Sequence, residues 1–363
     1  YKRQTEARGA MTTEYRIALI PGDGIGREVL PAGLAVLEAV GRHHGLRFAW
    51  KELDWGCDRY VRTGEMMPAD GVDQVRSADA ILLGAVGQPG VPDHVSLWGL
   101  LLPLRRGLAQ YACVRPVRLL PGVATPLANR GPKDIDFVVV RENNEGEYSQ
   151  RGGRMYEGSD EEVVIQESVF TRRGVDRILE YAFRLAETRR GHVTSATKSN
   201  GIFHSMPYWD ERFAAAAARH PGVRTAQYHV DILAAHFVQH PDWFDVVVGS
   251  NLLGDILSDL GAAVAGSIGI APSANLNPEG TFPSMFEPVH GSAPDIVGQG
   301  VANPVAMVWA TAMMLDHLGH GEAVRQVERA IEILQSSSGG AKWQGHEVPS
   351  PSVHPASEED APR

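Results

Sequence analysis

Asp255 and Asp259 stand four residues apart in the stretch S-N-L-L-G-D-I-L-S-D-L-G, residues 250–261. Leu252, Leu253, Ile256, Leu257 and Leu260 recur there at helical spacing, so the stretch reads as an amphipathic helix. Both carboxylates then leave one side of that helix, one turn apart, at the border of its apolar stripe. Two like charges so placed, half out of water, repel unless something positive lies between them. A site offering only oxygen ligands suits Mg²⁺ or Mn²⁺ better than zinc. A lone D-x-x-x-D is more often a pair of solvated surface carboxylates, so the rest of the chain decides between the two.

The chain around this helix has 363 residues, enough for two domains with a sizeable core. Its formal net charge of −10 argues against a nucleic-acid or membrane-surface partner. Cys57 and Cys113 give neither a disulfide framework nor zinc spacing. No apolar run approaches the roughly 18 residues of a membrane span. The polar residues 1–10 lack the apolar core of a signal peptide and read as an unstructured leader before Met11. These features predict a cytoplasmic globular protein.

Strands alternate with helices along the chain, which predicts an α/β architecture. Residues 15–20 form a first buried strand, and the turn Pro21-Gly22-Asp23-Gly24-Ile25-Gly26 leads into a helix over 27–40. This turn fails the dinucleotide fingerprint G-x-G-x-x-G, which would need glycine at Arg27. It still offers backbone to an anion or an adenine. Strands are predicted over 46–54 and 80–84, with a helix between them near 70–77. A helix over 97–110 carries Arg105 and Arg106, and Pro103 places its start near 96–100. Residues 114–119 are extended, and a strand over 135–140 delivers R-E-N-N-E-G-E-Y, residues 141–148. The glycines and alternation of 152–166 suggest a β-hairpin arm. A long helix over 171–189 has Thr171 as its cap. A strand over 192–195 ends in Ala196-Thr197-Lys198-Ser199-Asn200, and one over 227–231 ends in Asp231. Val246-Val247-Val248 precedes the helix with the paired carboxylates. Helices over 304–318 and 323–334 follow the loop 290–296. From Ser336 onward the chain has no periodicity and reads as a disordered tail, 336–363.

Several stretches taken together resemble the metal-dependent β-decarboxylating dehydrogenases, the isocitrate/isopropylmalate dehydrogenase family. They are Gly22–Gly26, Arg105, Arg115-Pro116, residues 141–148, Thr197–Asn200, Asp231, residues 254–259 and H-G-S-A-P-D-I at 290–296, in that order. The resemblance runs from about residue 15 to 334. The wording around 96–99, 206–212 and 240–246 is most similar to the tartrate/D-malate dehydrogenase branch.

That resemblance implies an isocitrate/isopropylmalate dehydrogenase-like fold, distinct from a standard Rossmann domain. It has two α/β domains, the first interrupted by the second. The cofactor domain would take 11–110 plus 266–334. The substrate, metal and dimerisation domain would take 111–265, with its arm near 146–166. The implied chemistry is oxidation of a 2-hydroxy acid, with loss of a carboxylate on carbon 3 as CO₂. A divalent ion, Mg²⁺ or Mn²⁺, would assist both steps, with K⁺ as a further candidate ion. Asp255 and Asp259 would be metal ligands, joined by Asp231 of a second subunit. Arg105, Arg115 and Arg141 would grip substrate carboxylates with their guanidinium forks. Arg106 and Arg118 read as surface salt-bridge residues.

Lys198 would take the hydroxyl proton, helped by nearby positive charge, and Tyr148 would protonate the enol carbon. Asn200 would face nicotinamide or substrate. NAD would lie against His290, Gly291, Ser292, Ala293, Pro294, Asp295 and Ile296, with Asn303 and the Gly22–Gly26 turn alongside. Asp295 would accept hydrogen bonds from the ribose hydroxyls of NAD and repel the 2′-phosphate of NADP. Trp98, Leu101, Leu102 and Arg105, at helical spacing, would share one face toward the substrate's third carbon. The protein would be a homodimer with shared sites, or a tetramer, acting on a small 2-hydroxy acid.

Three departures from the family pattern stand out. Cys113 replaces the usual asparagine before Arg115-Pro116, Asn144 replaces a common threonine, and the glycine-rich turn and last helix expected after about residue 334 are missing. D-malate and tartrate fit the Trp98 face best. Isopropylmalate is the nearest rival: Leu101 and Leu102 are compatible with it, and Trp98 argues against it. A phosphohydrolase built on Asp255 and Asp259, or an inactive binder with an altered tail, are rivals of other classes.

Overall fold

In the computed structural model the alternating strands and helices fold into a ten-stranded mixed sheet flanked by helices. The structure describes residues 13–337. The leader expected over 1–10 and the stretch from residue 338 onward lie outside the described residues. The strands are β1 (Thr13–Gly22), β2 (Leu46–Glu52), β3 (Ala80–Ala85), β4 (Ala112–Arg118), β5 (Asp136–Glu142), β6 (Gly152–Met155), β7 (Val163–Gln166), β8 (His192–Thr197), β9 (Arg224–His229), β10 (Val246–Gly249), β11 (Pro272–Leu276) and β12 (Ser284–Pro288). Their order across the sheet is β2-β1-β3-β12-β11-β4-β5-β10-β8-β9, and β6 and β7 pair as a separate hairpin.

Both flanks of the sheet are parallel: β2, β1, β3 and β12 on one side, β5, β10, β8 and β9 on the other. Between them β12, β11, β4 and β5 are antiparallel in succession. The two parallel sets therefore run in opposite directions, and the chain returns to the first set with β11 and β12. Strands covered on both faces read as unbroken apolar runs, and all residues of β3 and β10 are buried. The helix Val305–His317 is apolar nearly all round because it packs between the sheet and the helices Gly26–His44 and Gly321–Ser337. Thr171 caps the helix Arg172–Glu187 as its sequence suggests, its hydroxyl accepting from Gly174 N–H.

Three elements differ from the sequence reading. The helix bearing Arg105 begins at Asp93 rather than near 96–100, so Pro103 lies in its interior. A proline there lacks an N–H and its ring crowds the carbonyl four residues back. A wide π-turn over Leu97–Leu101, in which Leu102 N–H reaches back to Leu97 O, makes the room. The extra residue in that turn rotates the helix face. Trp98 consequently lies against Arg106, whose Cζ is 4.9 Å from the indole centroid, and not in line with Arg105. The single face expected for Trp98, Leu101, Leu102 and Arg105 is thus divided, with Leu102 and Arg105 buried and Trp98 half-buried under Arg106.

Asp231 does not end a strand. β9 stops at His229, and Asp231 sits in the first turn of the helix Val230–Gln239, where a carboxylate complements the helix dipole. Ser336 and Ser337, expected in the disordered tail, close the helix Gly321–Ser337. Buried Gln335 holds that turn down, and Ser336 Oγ donates to Glu332 O at 2.7 Å. Among the described residues no helix is long and apolar enough to cross a membrane. Both cysteines are free and buried.

Candidate active site

The register of the antiparallel centre builds one wall of the site. Cys113 lies opposite Arg141, Arg115 opposite Val139, Asn275 opposite Cys113, and Ser273 opposite Glu287. Side chains alternate along a strand, so Arg141, Cys113, Arg115, Ser273, Asn275 and Glu287 share one face of the sheet. Arg141, Arg115 and Glu287 are each more than nine-tenths buried there. Arg115 Nε donates to Ser273 Oγ at 3.4 Å, and Cys113 Sγ is 3.5 Å from the same oxygen. Arg105 reaches this row from its helix, donating to Glu287 Oε1 at 3.0 Å. Asn275 donates to the same carboxylate at 2.7 Å and accepts from Asn143 at 2.8 Å.

The helix Asn251–Val264, capped by the Ser250 hydroxyl, lies over this face. Gly254 permits the close approach, since a Cβ there would stand 2.6 Å from Arg141 Cβ. Arg115 Nη1 donates to Asp255 Oδ1 at 3.3 Å, Ser258 Oγ at 2.8 Å and Asp259 Oδ1 at 3.2 Å. The positive charge that the carboxylate spacing demands is therefore Arg115. Arg141 also binds Asp255 Oδ1, and its Nε and Nη2 donate to Asn251 Oδ1 at 3.1 and 2.6 Å. Tyr148 Oη donates to Asp255 Oδ2 at 2.7 Å, with the Arg141 Cζ 5.3 Å from its ring centroid.

Burial and the neighbouring charges set the ionisation of this cluster. Burial opposes the Asp255 anion, but Arg141, Arg115 and the Tyr148 hydroxyl hold its carboxyl below the usual range. Asp259 is raised instead: burial and the Asp255 charge outweigh what Arg115 returns. Burial, together with the Asp255 charge and hydrogen bond, pushes the Tyr148 hydroxyl up to about 12, so it keeps its proton.

Tyr148 is carried by the loop that follows β5. Glu142 starts that loop: its buried Oε2 accepts from the amides of Asn144 and Glu145 at 3.0 and 2.6 Å. Glu147 accepts from Ser250 Oγ at 2.7 Å and from Leu252 N at 3.0 Å, fastening the loop to the start of the carboxylate helix. Arg106, expected in a surface salt bridge, makes none among the described residues. It donates through Nη2 to Tyr148 O at 2.6 Å and through Nε to Asn144 O at 3.3 Å. Arg118 does pair on the surface, with Glu332 and with Glu328 at 4.0 Å.

Lys198 follows β8 and Asp231 follows β9, and Lys198 Nζ donates to Asp231 Oδ1 at 2.8 Å. Neither bonds to Asp255 or Asp259, and Asn200 is exposed beside them. Among the described residues no three or more His, Cys, Asp or Glu side chains of the chain converge as a metal site. The loop 290–296 is partly sealed. His290, Ser292, Ala293 and Ile296 are buried, while Gly291, Pro294 and Asp295 are exposed. The buried His290 Nε2 has no hydrogen-bond partner among the described residues. Asn303 Oδ1 accepts from Val305 N at 3.0 Å and starts the next helix. The Gly22–Gly26 turn packs against this loop: Ile25 N donates to Ser292 O at 2.9 Å, and a Cβ on Gly24 would stand 2.1 Å from that oxygen. Its glycines thus serve backbone-to-backbone packing.

The sequence reading missed Asn251, Ser258 and Glu287, which hold Arg141, Arg115 and Arg105. Asn251 and Ser258 carried a usable signal, lying on the Asp255 side of the same helix. Glu287 carried none, because only strand pairing brings it to Arg105.

The chain belongs to the isocitrate/isopropylmalate dehydrogenase family, whose model matches residues 16–339. Within that family of oxidoreductases its resemblance to the tartrate/D-malate branch is borne out. It is 62% identical over 315 residues to the D-malate dehydrogenase [decarboxylating] of Escherichia coli (strain K12), covering 86% of this chain and 87% of that protein. It is 63% identical over 312 residues to the tartrate dehydrogenase/decarboxylase of Pseudomonas putida, covering 85% and 86%. The crystal structure of isocitrate dehydrogenase from Methylococcus capsulatus superposes with a TM-score of 0.80 at 35% identity, covering 89% of this chain and 91% of that one.

Proposed function

We propose that the protein is an NAD- and divalent-metal-dependent dehydrogenase of D-malate, which it decarboxylates to pyruvate and CO₂, and of tartrate, which it oxidises. The convergence of Arg115, Arg141 and Tyr148 on Asp255 and Asp259 carries this reading. Two carboxylates held with a protonated phenol and two fixed guanidinium groups suit a chelated 2-hydroxy acid whose own carboxylates need partners.

Asp255 and Asp259 fit a divalent ion by donor type, and Asp231 of a second copy would complete the set. Such an ion would polarise the substrate hydroxyl, whose oxygen becomes the ketone oxygen. The buried His290 Nε2, orphaned among the described residues, supports a cofactor against the 290–296 loop, where NAD would accept the hydride. The exposed Asp295 carboxylate, without a partner among the described residues, suits an unphosphorylated ribose. Arg105, Arg115 and Arg141 bind and orient the substrate carboxylates. Lys198 takes the hydroxyl proton, and Tyr148 gives one to the carbon that loses CO₂.

The working form is a homodimer. The β6–β7 hairpin, exposed along its whole length, leaves Met155, Val163, Val164 and Ile165 uncovered, as an arm that pairs with a second copy would. Residues 11–110 with 266–334 form the cofactor domain and 111–265 the substrate domain, which meet at the antiparallel β12-β11-β4-β5 centre. The measurement that tests this reading is NADH production from a panel of 2-hydroxy acids, with Mn²⁺ and with chelator. Turnover of D-malate or tartrate that chelator abolishes is expected. Preference for isopropylmalate, or NADH formed equally well under chelation, would replace the reading.

A further inference from the structure

The two adjacent arginines of the π-turn helix face opposite ways. Arg105 points into the sheet toward Glu287, and Arg106 is exposed. Exposed arginines usually contribute little, but this one is held on three sides. Its guanidinium lies over the Trp98 indole, and it donates to the carbonyls of Asn144 and Tyr148. The helix that carries it packs against the β1–β3 flank, through Leu100 and Leu104. The loop that it grips comes from β5, on the other flank. The bond at Tyr148 O therefore spans the two halves of the sheet, one residue's length from the phenol that touches Asp255.

We infer that Arg106 is a positioning residue for Tyr148, with Trp98 as the platform that holds its guanidinium flat. This deepens, and rests on, the reading of Tyr148 as the proton donor. Among the described residues Arg106 is the side chain that bonds to the Tyr148 backbone. The loop from 144 to 151 is anchored on either side of Tyr148 by the Gly146–Val169 bridge, by Asn251 and Thr171 at Glu145, by Ser250 and Leu252 at Glu147, and by Gln166 and Glu167 at Ser149 and Arg151. Without Arg106 the Tyr148 carbonyl has no remaining partner among the described residues, and the phenol would sample positions away from Asp255. The π-turn explains why this residue does the task. The additional residue it inserts turns position 106, and not 105, over Trp98.

The test uses the full-length protein with Arg106→Met, which keeps the aliphatic length without the donors, and Arg106→Lys, which keeps one charged donor. Hydrogen–deuterium exchange should rise in Arg106→Met over residues 144–151 with the sheet unchanged and Tm nearly so. kcat on D-malate should fall about tenfold, or about 1.4 kcal/mol, with KM within twofold, and Arg106→Lys should recover part of both effects. Unchanged exchange over 144–151 overturns the inference. So does a loss that appears in KM alone, which would make Arg106 a substrate contact, or an exchange increase spread over the sheet with a matching fall in Tm. Should the unmutated protein fail to oxidise D-malate or tartrate, the functional reading fails, and the exchange measurement still decides whether Arg106 fixes the loop.

Discussion

Lys198 and Asp231 form an ion pair within one chain, Nζ to Oδ1 at 2.8 Å, and neither bonds to the Asp255 and Asp259 carboxylates. If Lys198 is the base and Asp231 a metal ligand, as proposed, this pair acts on the site of a second subunit. Mixing inactive Lys198→Ala and Asp255→Asn subunits should then restore some activity, because one hybrid site regains every group. No recovery after verified subunit exchange places Lys198 in its own chain's site.

Asp255 is the node where Arg115, Arg141 and Tyr148 meet. Asp255→Asn removes its charge and leaves the 290–296 loop untouched. Turnover should drop about a thousandfold or more, roughly 4 kcal/mol, while NAD affinity measured calorimetrically stays within a few-fold. Near-normal turnover at limiting metal contradicts the assignment.

Asp295 is exposed, and its side chain has no hydrogen bond or ion pair among the described residues. NAD should be preferred over NADP by at least about tenfold in kcat/KM, about 1.4 kcal/mol, and Asp295→Lys should narrow or invert the ratio. Equal use of both cofactors by the unmutated enzyme removes Asp295 as the ribose reader.

Gly254 has a spatial requirement that chemistry at its own position does not reveal. A methyl group there meets Arg141 Cβ at 2.6 Å and Cγ at 2.8 Å, so Gly254→Ala must move either the helix or Arg141. Thermal unfolding should register a loss of about 1–3 kcal/mol, with substrate KM raised. A variant as stable and as active as the parent refutes this packing.

Glu142 supplies a pH dependence of stability. Burial pushes its carboxyl up to about 7, against the pull of two backbone amides and Arg177 and with the Glu145 charge adding to the rise. A carboxyl raised in the folded state contributes stability that is complete below its unfolded value, near 4.5, and is lost as pH rises through about 7. Denaturant midpoints followed from pH 4.5 to 8 should show the parent losing ground to Glu142→Gln. The slope from this residue is at most about 1.4 kcal/mol per pH unit. Parallel curves for the two proteins contradict it.

The family, the alternation of strands and helices, and the identity of the chemical groups were legible in the sequence, since each depends on residue type and local spacing. The pairing of Asp255 with Asp259 and its need for a positive neighbour follow from helical periodicity alone. The Thr171 cap and the β6–β7 arm are likewise local. The identity of that neighbour, Arg115, required the β4–β5 register and the helix laid over it, 140 residues apart in sequence. The division of Trp98 from Arg105 arose from a π-turn forced by Pro103, which shifts every residue after it by one place on the helix face. The antiparallel seam that joins Arg105, Glu287 and Asn275 depends on strands from distant parts of the chain, whose pairing no local pattern encodes. Side-chain type and period are properties of the chain. Register, rotation and close approach are properties of its packing, and the tertiary structure alone decided them.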